Sequence, residues 1–153
     1  MALWCRDRGR HSIPHYWLHN RVMSTDVISG LQIILRIVLA VVFIGAGIAH
    51  FRPSVTRTMA AMIPPRLRVA GPFNPTNLVL FTGVCEIAGG AGLLLPITTV
   101  PAGIALVVFL AAVFPANAYA AAHRTRFGRI AIPFMPRLLA QLIFMALIVL
   151  AIV

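Results

Sequence analysis

The sequence predicts an all-α integral membrane protein, an antiparallel four-helix bundle with a short interfacial helix after the first span. Three observations carry that prediction. Hydrophobic residues make up 60% of the 153 and charged residues only 10%, where a soluble domain keeps roughly a quarter of its residues charged. Four apolar stretches reach the ~20 residues that a helix needs to cross a bilayer. None of them alternates as a barrel strand must, and four antiparallel helices are the simplest way for lipid-exposed backbone to satisfy its own hydrogen bonds.

Residues 1–23 form a basic, aromatic-flecked head that lacks the apolar core of a secretory signal. The head reads as disordered or lying on the membrane surface, and Met23, ahead of "STDVISG", is a candidate natural start. Residues 24–153 read as one compact transmembrane domain. Its first span runs from about Ile28 to Phe51, with Gln32 and Arg36 early in it. In "PSVTRTMAAMIPP", Val55, Met59, Met62 and Ile63 recur at helical spacing until Pro64-Pro65 stops the pattern. That spacing predicts a short amphipathic helix in the interface, with Arg52 and Arg57 near headgroups, against the plainer alternative of an irregular loop.

The second span covers 75–96, where Asn74 can cap the helix and Pro75 can take its first position. The third covers about 101–122 and the fourth about 133–153. Only "ITTV", bracketed by prolines, links the second to the third, so those two form a helical hairpin.

All thirteen basic residues are arginine, and the net charge is +10. They sit at the ends of apolar segments, where they meet lipid phosphates, and no nucleic-acid signature accompanies them. Two loops on one side hold Arg52, Arg57, Arg66 and Arg68, then Arg124, Arg126 and Arg129, with Arg137 just inside the fourth span. That excess favours both loops in the cytoplasm and both termini outside, while Arg6, Arg8, Arg10 and Arg21 of the head count for the opposite orientation if the head is part of the natural chain.

The chain has three acids, Asp7, Asp26 and Glu86, and only Glu86 falls in the middle of a span. An acid at a helix centre costs roughly 2.5 kcal/mol or more, so it faces the bundle and finds a partner. Gly83 and Gly90 lie at i−3 and i+4 from it and let a neighbouring helix come close. The expected partner is Arg36. Arg36, Phe43 and His50 share one stripe, Arg36 lies about 21 Å from His50 along the helix, and Glu86 lies about 13–17 Å in from the end of its own helix on His50's side. The pair reads either as a staple that fixes helix register or as a proton- or ligand-handling carboxylate.

A second polar group gathers near the membrane face: His50 at the end of the first span, and Asn117, Tyr119 and His123 at the end of the third. Pro115 removes a backbone donor and frees a carbonyl beside Asn117, so His50, Asn117 and Tyr119 are candidates for a ligand pocket under the interfacial helix. A histidine pair also raises haem b ligation, the less favoured reading beside ordinary interfacial histidines. There is no metal-ligand spacing and no nucleophile–base pair. Cys5 and Cys85 form no C-x-x-C motif, which argues against a disulfide framework.

"GAGIAHF" followed by a proline, "MIPP", "GVCEIAGGAGLLLP" and "VFPAN" succeed one another in an order that resembles the DoxX-like family of small bacterial four-helix membrane proteins. The resemblance covers about Gln32 to Val153. It implies a four-helix bundle in the bacterial inner membrane and a link to quinone-reducing or redox-associated systems. It implies importance without a role for Arg36, His50, Glu86 and Asn117.

Three functions follow as expectations. The first is a redox-linked accessory component that binds a quinone, with the bilayer and another membrane protein as partners. The second is a non-catalytic partner that stabilises a membrane complex through glycine-rich faces, with a homo-oligomer also open. The third is a small proton-coupled transporter using Glu86, against which the absence of an internal inverted repeat counts.

Overall fold

The computed structural model describes residues 15–68, 71–123, 125 and 132–153, and the side chains of its first helix from Ile28 onward. Most of the head, Cys5, and the loop arginines Arg124, Arg126 and Arg129 lie outside the described residues. Five α-helices, α1 (His15–Ala49), α2 (Pro53–Met62), α3 (Pro75–Leu94), α4 (Thr99–Ala122) and α5 (Phe134–Ile152), and two single 3-10 turns account for the secondary structure there, with no strand among the described residues. The chain falls into two compact units, Met1–Leu31 and Gln32–Val153. From His15 the chain is helical, so α1 takes in the last part of the head as well as the first span.

Four helices are long and apolar enough to cross a membrane: Ile28–Ala49, Pro75–Leu94, Thr99–Ala122 and Phe134–Ile152. Their ends follow from local chemistry. Asn74 accepts a hydrogen bond from the Asn77 amide at 2.9 Å, and Pro75 opens α3, so a group that would otherwise be an orphan donor is satisfied. At the other end of α3, Thr98 donates to the Gly92 carbonyl (2.8 Å) and Thr99 to that of Leu95 (2.9 Å). Those threonines serve carbonyls that α3 itself cannot, which is why α4 begins at Thr99, two residues before the expected Pro101. Pro115 leaves α4 a continuous helix through Ala122.

Between helices in lipid there is little hydrophobic driving force, so close packing and small residues decide which faces meet. Leu39, Phe43, Leu93, Leu106, Ile148 and Ala151, drawn from α1, α3, α4 and α5, form one buried cluster. The Phe43 and Phe144 rings meet edge to face at 6.2 Å. Leu106 is almost wholly buried against Gly89, so Leu106→Ala should lose roughly 2–4 kcal/mol by opening a cavity in the cluster. Reversible unfolding in mixed micelles would measure that loss.

The end of α5 answers a question about Arg36. Its Nε donates to the Ala151 carbonyl at 2.7 Å, and Gln32 reaches the Leu150 carbonyl at 3.5 Å. Both carbonyls belong to the last turn of α5, where carbonyls lack an intrahelical partner and carry the negative end of the helix dipole. The expected Arg36–Glu86 pair is therefore not formed: the guanidinium serves the C-terminus of α5.

Candidate functional site

His50 closes α1, and its neighbourhood is built from the backbone outward. Thr56, in the first turn of α2, donates to the His50 carbonyl and to that of Arg52, which ties α2 to the end of α1. The His50 ring turns to α3, where Nδ1 lies 3.1 Å from both the Val79 carbonyl and Thr82 Oγ1. Thr82 gives its own hydroxyl proton to Val79 O at 2.7 Å. Both atoms facing Nδ1 are thus acceptors, and Nδ1 must carry a proton.

That assignment points Nε2 at Glu86, whose Oε2 stands 3.5 Å away, with the two side chains 7% and 13% exposed. The distance is an electrostatic contact rather than a hydrogen bond, and Oε2 is buried without a hydrogen-bond donor among the described residues. Glu86 faces α1, as its flanking glycines imply. A Cβ on Gly83 would meet the His50 Cβ at 2.8 Å and Gly47 O at 2.9 Å, and one on Gly90 would meet the Ala40 carbonyl at 3.1 Å. These close approaches bring α1 within reach of the carboxylate, and its basic neighbour there is His50, not Arg36.

Both residues line a cavity of about 720 Å³. Its remaining walls come from α2 and the turn after it (Met59, Met62 and Ile63), from α3 (Leu78 and Phe81) and from α4 (Phe109, Val113 and Asn117), with Arg137 entering from α5. The lining is mostly apolar, with a few convergent polar groups, and its size falls within the roughly 300–1,000 Å³ of small-ligand sites. Phe81, Ala112 and Pro115 line the cavity and are also exposed, so it opens on the outer side of α3 and α4. Each of the four stretches quoted above supplies a wall: His50, Met62 with Ile63, Glu86, and Pro115 with Asn117.

His50 and Asn117 therefore share one cavity, while Tyr119 stands apart. Its ring lies 4.1 Å from that of His123, whose Nδ1 approaches the Tyr119 carbonyl at 2.9 Å. His123 is exposed and His50 buried. Two participants escaped the sequence reading. Thr82 lies beside His50 Nδ1, and Arg137 reaches into the cavity wall. The signal for Arg137 was present: Arg137 and Gln141 are four residues apart on one helical face. Gln141 donates to the Leu110 carbonyl at 2.9 Å and Arg137 to that of Asn117 at 3.4 Å, both on α4. Gln32 and Arg36 use the same spacing toward α5.

A sequence profile described as a domain of unknown function, DUF8561, matches residues 39–152. The chain belongs to that family. No curated protein and no solved structure matches it.

Proposed function

We propose that this member of the DUF8561 family is a multi-pass membrane protein whose spans close an antiparallel bundle around a binding site for a membrane-dissolved amphiphile. The observation that carries the reading is the cavity of about 720 Å³ with the buried Glu86–His50 pair in its wall. A single apolar chain fills such a space, and its polar end meets polar groups in the wall at Glu86, His50 and Arg137. Exposed lining at Phe81, Ala112 and Pro115 would let the ligand enter sideways from the bilayer.

Binding suits the inventory better than catalysis does. Among the described residues no three His, Cys, Asp or Glu side chains gather as a metal site would need, and the hydroxyl beside His50, that of Thr82, gives its proton to the Val79 carbonyl. The DoxX-like resemblance adds a redox-linked accessory role as a proposal, in which the amphiphile is a quinone and the protein serves a partner in the cell membrane. Support for that role is the resemblance alone; support for binding is the cavity.

The test is extraction. Full-length protein purified into nanodiscs of synthetic lipid is denatured in organic solvent, and released molecules are quantified by mass spectrometry. One amphiphile per chain is expected, falling at least about tenfold when Val113→Trp fills the cavity. Equal recovery from both proteins would sink the reading.

A further inference from the structure

The cavity holds a cation with no counterion among the described residues. Arg137 lines its wall half-buried, and among the described residues its guanidinium makes one hydrogen bond, the 3.4 Å contact from Nη1 to the Asn117 carbonyl. Residues 32–153 contain nine arginines but a single acid, Glu86. That acid is within 4 Å of His50 and of no described arginine. A guanidinium half-buried in an apolar wall without a countercharge is costly, and an anion entering the cavity removes that cost.

We infer that the occupant is a single-chain carboxylate amphiphile, such as a long-chain fatty acid, whose carboxylate pairs with Arg137. The inference rests on the cavity being a ligand site, and it narrows what enters. The guanidinium is a planar fork that matches a carboxylate edge with two parallel hydrogen bonds. A carboxylate brings the one negative charge that Arg137 lacks, whereas a phosphate monoester carries about −1.5 to −2 and leaves an excess. A neutral quinone leaves Arg137 unpaired. The volume suits one chain rather than the two of a phospholipid, and Met59, Met62, Leu78 and Val113 supply an apolar wall for it. Methionine's flexible thioether lets such a wall adapt to a chain.

Scintillation proximity on the full chain in phosphatidylcholine nanodiscs, with tritiated oleate as probe, tests this. Oleate is expected to bind once per chain, to be displaced by unlabelled oleate, and to be displaced far less by oleyl alcohol, its neutral counterpart. Arg137→Gln should weaken binding by about thirtyfold, the usual effect of removing one partner of a desolvated charge pair, while Arg137→Lys, which keeps the charge but not the fork, recovers only part of it. The competition between acid and alcohol uses unaltered protein, so a variant that fails to fold does not blunt it. Equal displacement by the alcohol overturns the inference, as does stronger displacement by a monoacyl phosphate. Loss of the oleate signal on doping the nanodisc with phosphatidylglycerol overturns it too, since bilayer lipid would then be the occupant. Binding of decylubiquinone without oleate would remove the carboxylate assignment and leave the amphiphile site standing. If oleate, oleyl alcohol and decylubiquinone are all unbound, the site itself falls.

Discussion

Replacing His50 by Leu should destabilise the protein by about 1–3 kcal/mol, the cost of leaving the buried polar groups around it without a partner. The side chain is 7% exposed and does two things at once: Nδ1 holds α3 through Val79 and Thr82, and Nε2 faces the only acid of the transmembrane region. The two contributions separate in a double variant. Glu86→Gln in the His50→Leu background removes the stranded carboxylate, so much of the loss should return, and what remains reports the α1–α3 hydrogen bonds at roughly 0.5–1.5 kcal/mol each. Glu86→Gln alone should cost far less than His50→Leu, because a neutral amide still faces Nε2. The comparison is a double-mutant cycle read from unfolding midpoints in mixed micelles. Strictly additive losses would show that the two side chains do not interact.

The second large effect belongs to a glycine. A Cβ on Gly47 would lie 2.6 Å from the Gly83 carbonyl oxygen and 2.7 Å from Ile87 Cγ1, whereas one on Gly45 meets nothing within 4 Å. Backbone cannot swing aside as a side-chain end can, so Gly47→Ala must push α1 off α3. That should cost roughly 1–3 kcal/mol by overpacking and widen the gap between His50 and Glu86. Gly45→Ala, two residues away on the outer face, should leave stability unchanged or raise it slightly, since alanine favours the helix by about 1 kcal/mol. The contrast between two like substitutions isolates the interface from helix propensity. Equal melting of the two variants would show that α1 does not approach α3 at Gly47.

The spans, the short α2, the Asn74 cap and the inward aim of Glu86 were all legible in one dimension, because hydropathy, prolines and small residues act over a few neighbouring positions. Arg36 shows where that legibility stops. Depth along two helices allowed it to meet Glu86, but a guanidinium donates to any acceptor, and the closing carbonyls of α5 were nearer. Sequence periodicity says how far along a span a residue lies; it does not say which neighbouring helix its face meets. His50 and Glu86 became partners, and Asn117 and Arg137 walls of one cavity, only through how the helices sit side by side. That arrangement depends on close approaches such as Gly47 against Gly83, where removing a single Cβ on each helix brings two backbones together. The sequence alone determined that this chain places one acid among apolar helices, and the tertiary structure decided which base answers it.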